Sequence, residues 1–367
     1  SLDNYLEIKD NTIKFKNHKI KSNFKNNKFT INGSGKIKLQ EIFEDINYSI
    51  DSDDKDFKFN SKLLLSELNF NSQEYLKNFI TNLDKTTTLK DQKIEINLDK
   101  KKLLINGQGK IKFNNDFEDI KFKVLKIKNK FNFNTELDLD NTPFKINFLN
   151  FVKNDKSKTR IRFAGSYEPE NSLDFEDISI INENNRLIFK NIFLNKNNLI
   201  EKVDEVKLEF LDNQNKKNNI LLKKIKQNKY QITGSSFNAE KLIDSLLVGK
   251  KDNNLKLFQN DIEISLNLKE IYLDNLYLVN DLNGNLDIKN NEIYTANISG
   301  DFDNVNNLKF TVNTNDVGEK ITTLFSSKAK PLVERYKFIK GFEDNEEGYL
   351  DFYSSKKNGI SNSKLII

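Results

Sequence analysis

The chain has 367 residues, 37 % of them hydrophobic and 31 % charged, and a formal net charge of +5. It has no cysteine, which excludes disulfides and thiolate metal sites, and its aromatic content of 11 %, all Phe and Tyr, argues against a disordered chain. Arginine occurs only at Arg160, Arg162, Arg186 and Arg335, while lysine is interleaved with Asp and Glu rather than gathered in a stripe, so no nucleic-acid partner is expected.

Taken in chain order, the predicted elements are mostly strands. Apolar and polar residues alternate in Ile13–Lys16, Phe29–Gly33, Ile94–Leu98 and Phe131–Asn134, and again in Arg160–Phe163, Val206–Phe210, Ile262–Leu268 and Leu308–Val312. Asn, Asp, Gly, Lys and Ser fill the intervals, as tight turns require. Helical spacing predicts four interruptions. One starts at Ser72, with Tyr75, Leu76, Phe79, Ile80 and Leu83 on one face. A second runs from about Asn238, with Leu242, Ile243, Leu246 and Leu247 in a stripe and Gly249 as its stop. A third spans Asp316 to Phe325, and Pro331 opens a fourth that ends at Gly341. Isolated helices between meanders read as caps on a sheet end, not as βαβ units.

A segment repeats. Ile31–Lys38 returns as Ile105–Lys112, Phe43–Ile46 as Phe117–Ile120, and Phe57–Ser61 as Phe131–Thr135, always 74 residues on. A constant offset predicts a duplicated unit of several strands stacked on its copy. The expected organisation is a duplicated region over 1–140, a continuing meander over 141–230, and a third β region over 231–367 with helices near 238–248 and 316–340. The three form one continuous, elongated unit. Ser1 and the apolar run Leu365–Ile367 read as cuts through a longer protein, and no signal peptide or run of about 18 apolar residues is present.

Catalytic constellations are missing from the sequence. His18, the single histidine, lies in a Lys-rich stretch that reads as a loop between strands, and a lone histidine there is a bystander. Asp51–Asp54 lacks the glycine and distal glutamate of a calcium loop and reads as a solvated turn. Gly33-x-Gly35 is followed by no helix, so it is no phosphate loop, and Glu343–Glu347 reads as a solvated acidic loop. No metal, cofactor or catalytic residue is expected.

What the sequence does offer is one-sided apolar surface. Phe29, Ile31, Gly33, Gly35, Ile37 and Leu39 share one parity, as do Leu103, Ile105, Gly107, Gly109, Ile111 and Phe113 in the second copy. Ile262, Ile264, Leu266 and Leu268 form a third such set. Paired glycines inside a strand mark a bend, a bulge or a close approach. They favour a curved sheet, with a dry trough open to a ligand, over a flat sandwich.

Leu282–Ile288, Ile293–Phe302 and the block Asn315–Ile321, Tyr336–Gly341, Gly348–Phe352 resemble the strand pairs and closing segment of the AsmA-like family, most closely its YhdP-like branch. Gly234–Ile243 is similar to the family's helix entry, whereas the insertion Phe325–Pro331 departs from its pattern. The resemblance implies a mainly β protein whose long curved antiparallel sheet folds into an elongated groove, with a few short capping helices. It further implies a periplasmic protein, anchored in the inner membrane by a segment not in this chain. Its role would be a non-catalytic conduit that carries phospholipid acyl chains toward the outer membrane. On this reading the three apolar sets line the groove, and Leu242, Ile243, Leu246 and Leu247 cap an end. Two rivals stand beside it: an envelope scaffold that docks proteins through sheet edges, and a carbohydrate-active enzyme working with carboxylates alone.

Overall fold

A computed structural model describes residues 14–247, 260–336 and 348–367, apart from residues 55, 73, 155, 170, 171, 198, 291 and 304. Strand accounts for 72 % of the chain and helix for 5 %. The contacts divide it into two compact units, residues 1–146 with 152–183, and residues 147–151 with 184–367.

The first unit is a meander. β1 (Lys14–Lys25), β2 (Lys28–Lys38), β3 (Phe43–Ser52) and β4 (Phe57–Asn71) are followed by β5 (Thr86–Asp99), β6 (Lys102–Lys112), β7 (Phe117–Ile127) and β8 (Lys130–Asp138). Each pairs antiparallel with the next. After β9 (Phe144–Ile146) and β10 (Phe151–Lys153), which pair with each other, β11 (Thr159–Glu168) docks on β8, and β12 (Ser172–Asn182) on β11. The strands β1–β4 and β5–β8 carry the two copies of the repeated segment and are joined where β4 pairs with β5. Asn26 and Asn27, both left-handed (φ 52° and 58°), make the two-residue turn between β1 and β2, a conformation asparagine tolerates.

Among the described residues, two clusters of buried apolar side chains stand out in this unit. Ile37, Leu63 and Leu65 make one. The other gathers Ile80, Ile111, Phe113, Leu137 and Leu139, with Leu76 and Leu83 packed on it. The link between β4 and β5 therefore closes one end of the apolar face. It does so without the predicted helix: only a 3-10 turn, Glu74–Asn78, forms. The Ser72 hydroxyl meets Thr87 Oγ1 at 2.7 Å instead of capping a helix. Ile80 makes a β-bridge to Phe144, and Asn82 turns left-handed (φ 55°), so the chain extends where a helix would continue. Phe79 points to solvent.

The second unit begins with β13 (Asn185–Asn195), which pairs with β14 (Ile200–Lys202) and then β15 (Glu205–Leu211). β16 (Lys217–Lys226) and β17 (Lys229–Asn238) continue antiparallel. Helix α1 (Glu240–Leu247) follows, capped by Asn238 Oδ1, which accepts from the Glu240 N–H at 3.1 Å. β18 (Ile262–Tyr272) then lies parallel to β17. This corrects the expectation that no βαβ unit is present: the connection over 239–261 is long enough to carry the chain back to the start of the sheet.

β19 (Leu278–Lys289), β20 (Glu292–Phe302), β21 (Asn306–Thr314) and β22 (Lys320–Ser326) resume the antiparallel meander. β22 occupies the stretch predicted as the third helix. The Asn315 side chain accepts from the N–H groups of Val317 and Glu319, and Gly318 takes φ 75°, which closes a hairpin turn before Ile321, Thr322 and Thr323 extend as a β-branched strand. Helix α2 (Lys330–Tyr336) starts at the Pro331 position and buries Pro331, Leu332 and Val333. Gly341, its predicted stop, lies outside the described residues. β23 (Leu350–Lys357) and β24 (Ile360–Ile366) end the sheet. Arg335 on α2 ties the helices together: it donates to Asp244 Oδ1 and the Glu240 carbonyl on α1 and, at 3.0 Å, to the Leu273 carbonyl.

Among the described residues, no helix is long and apolar enough to cross a membrane.

Candidate functional site

Directly opposed residues on paired strands share a face. In the second unit this rule traces one apolar ladder across eleven strands: Phe189, Val206, Leu222, Ile232, Leu266, Gly284, Ile298, Phe310, Leu324, Phe352 and Leu365. None of these residues is fully buried. Ile262, Ile264 and Leu268 flank Leu266 on the same face, opposite Ile288, Leu286 and Leu282 of β19. Ile262 and Leu268 are buried, and Ile262 joins Val203 and Tyr230 in a cluster.

The first unit repeats the arrangement. Gly35, Ile46, Leu63, Ile94, Gly107, Phe122, Thr135, Phe163 and Ile178 stand side by side from β2 to β12. The next row holds Gly33, Tyr48, Ser61, Ile96, Ile105, Val124 and Phe133. Accessibility varies along the strands. Ile111 and Phe113 are buried under the β4–β5 link, Ile37 is buried against Leu63 and Leu65, Ile31, Leu39, Leu103 and Ile105 are half-buried, and Phe29 is exposed. Leu39 and Phe113 lie just past the ends of β2 and β6. Of the α1 stripe, Leu242 is exposed, and the side chains of Ile243, Leu246 and Leu247 lie outside the described residues.

The glycines have a specific cause. A Cβ on Gly33 would sit 2.2 Å from the Tyr48 ring, and one on Gly107 would sit 2.1 Å from the Phe122 ring, because each aromatic side chain lies flat across its cross-strand glycine. Gly35 and Gly109 face β-bulges. The register slips between Lys16 and Lys19 in β1, and between Lys90 and Lys93 in β5. Left-handed Asn17 and Asp91 (φ 56° and 51°) swing His18 and Gln92 over Gly35 and Gly109. The same device recurs where Asp281 (φ 46°) and Leu282 bulge opposite Gly300. His18 is thus not in a loop. It packs between Phe15 and Tyr48, and its Nε2 lies 3.0 Å from the Lys36 carbonyl, which it can reach only as a donor.

The opposite face is polar. Lys36 pairs with Asp45, Lys62 with Glu95 and Lys110 with Asp119, all partly exposed and each worth little. An open depression of about 620 Å³ lies on this face of the first unit, lined by Asn32, Ser34, Asn47, Asn60, Asn97 and their neighbours. The Asp51–Asp54 stretch forms a turn in which Asp53 Oδ1 accepts from the Asp56 N–H at 2.8 Å. Lys100 reaches across to Asp56 at 2.7 Å. Among the described residues no three Asp, Glu or His side chains are grouped to hold a metal. Glu343–Glu347 lies outside the described residues.

Comparison with protein-family models, curated proteins and solved structures finds no match for this chain.

Proposed function

We propose that the chain is a non-catalytic binder and conduit for phospholipid acyl chains, working in the periplasm as part of an AsmA-like, YhdP-like protein that supports outer-membrane biogenesis. One observation carries the reading. The apolar ladder of the second unit crosses eleven strands, and every residue in it stays partly accessible. A closed core would have buried it. Each methylene laid on such a floor gains about 0.8 kcal/mol, close to what it gives up on leaving a bilayer. A floor without deep pockets therefore lets a chain slide instead of trapping it. The apolar face of the second unit would be the floor of such a groove.

Gentle purification from a bacterial host, then solvent extraction and mass spectrometry, tests the proposal. Phospholipid in near-stoichiometric or greater amount is expected, and Ile105→Asp or Leu266→Asp should reduce it severalfold while the circular-dichroism spectrum stays that of a β protein. Stable protein that carries no lipid would overturn the reading.

A second reading draws on β1, whose partner strand among the described residues is β2 and where Phe15, Ile20 and Phe24 are 63 %, 59 % and 70 % exposed. A strand with so much exposed apolar surface suits a scaffold that adds a strand from another envelope protein. Lipid-free protein that captures one stoichiometric partner would favour it.

A further inference from the structure

The apolar face of the second unit changes character at one end. Three rows cross its last strands. Leu324, Phe352 and Leu365 form an apolar row, then Thr322, Ser354 and Ser363 a hydroxyl row, then Lys320, Lys356 and Ser361 a cationic one. Ser363 Oγ donates to Ser354 Oγ at 2.9 Å, which lies 3.1 Å from Ser361 Oγ, so the hydroxyls are linked. Lys320 and Lys356 are direct cross-strand partners on one face. Like charges so placed repel and cost stability.

A depression of about 430 Å³ opens at the same spot, lined also by Lys289, Tyr294 and Thr314. Lys289 Nζ lies 3.7 Å from the centre of the Tyr294 ring. Glu292 is the one carboxylate in the lining; it stands 3.6 Å from Lys320 and is largely exposed. Lys289 and Lys356 have no carboxylate within ion-pair distance among the described residues.

We infer that this depression is an anion site that holds the headgroup of an anionic amphiphile, with its acyl chain lying along Leu324 and Phe352. The inference rests on the acyl-binding reading above and adds a headgroup class to it. The gradient along the face, apolar then hydroxyl then ammonium, matches the order of tail, glycerol and anionic head. An anion between Lys320 and Lys356 turns their repulsion into paired, charge-assisted hydrogen bonds, which explains why two lysines face each other there.

The test compares two single-chain probes with the same acyl tail, lysophosphatidylglycerol and lysophosphatidylcholine, titrated below their micelle concentrations into the purified chain at low salt. The wild type is expected to bind the anionic probe about tenfold tighter. Lys320→Gln/Lys356→Gln should abolish that preference and leave affinity for the zwitterionic probe unchanged, while Lys320→Arg/Lys356→Arg should retain it. Equal affinities in the wild type would overturn the headgroup site and leave acyl binding standing. Binding of neither probe would overturn the acyl reading and the site with it. Glycerol phosphate alone binding as tightly as the anionic probe would overturn the amphiphile and leave a plain phosphate site.

Discussion

Glu118 offers the sharpest test of what holds the duplicated sheet together. Its carboxylate is 3 % exposed and accepts from three consecutive backbone N–H groups, those of Asp140, Asn141 and Thr142, at 2.9, 2.8 and 2.6 Å. The same loop is held from the other side by the buried Lys153 ammonium, which donates to the carbonyls of Asp140 and Thr142. Glu118→Ala would strand three donors. Thr142 is wholly buried, so its N–H cannot be rewetted, whereas Asp140 and Asn141 are half-buried and recover part of their hydration. At about 1–3 kcal/mol for each unpaired buried donor, the loss comes to about 4–5 kcal/mol. Glu44, 74 residues earlier, is the same residue in the first copy, yet among the described residues it accepts only from the exposed Ser66 hydroxyl at 2.7 Å and the Glu67 N–H at 3.4 Å. Glu44→Ala should therefore cost about 1 kcal/mol. Urea unfolding followed by far-UV circular dichroism, with the transition of each unit fitted separately, measures both. Glu118→Gln, which keeps one acceptor oxygen, should fall between them. Equal costs for Glu118→Ala and Glu44→Ala would refute the reasoning.

Gly107→Ala should destabilise the first unit by about 1–3 kcal/mol, because its methyl collides with the Phe122 ring. Adding Phe122→Ala should return part of that loss, a non-additivity that a double-mutant cycle in urea reads directly. Burial pushes the phenols of Tyr230, Tyr272 and Tyr336 above the ordinary value of 10.0. The folded chain then binds more protons than the unfolded chain once the pH exceeds 10, so stability is intact below that pH and falls above it. Denaturant midpoints measured from pH 8 to 11 should show the decline, and Tyr230→Phe should flatten it; a midpoint constant over that range would count against the burial of these phenols.

Much of the sheet was legible because a two-residue period is hard to mistake. The parity of Phe29, Ile31 and Ile37, and of Ile262 to Leu268, places them on shared faces in the structure. The helices were less legible for a local reason. Ile321, Leu324 and Phe325 have helical spacing, but Asn315 and Gly318 build a turn whose hydrogen bonds commit the chain to a hairpin first. The bulges could have been found in the sequence: His18 and Gln92 stand at the repeat's own 74-residue offset, upstream of the matched segments. The cationic row could not, because Lys320 and Lys356 meet only through the pairing of β22 with β23.

The parallel pair of β17 and β18 has a consequence for how the second unit assembles. Apart from β22 and β23, which close over residues 327–349, the antiparallel neighbours there join segments that follow closely in the chain, so those hairpins can zip up one by one at low loop-closure cost. Lys229 and Glu263, by contrast, are partners 34 residues apart, with α1 between them. That seam must wait for a non-local closure, the slow kind of event in β folding. Until it forms, β17 and β18 each present an unpaired edge. The interval between zipping of the hairpins and sealing of the seam is when this unit is most open to pairing with the wrong strand.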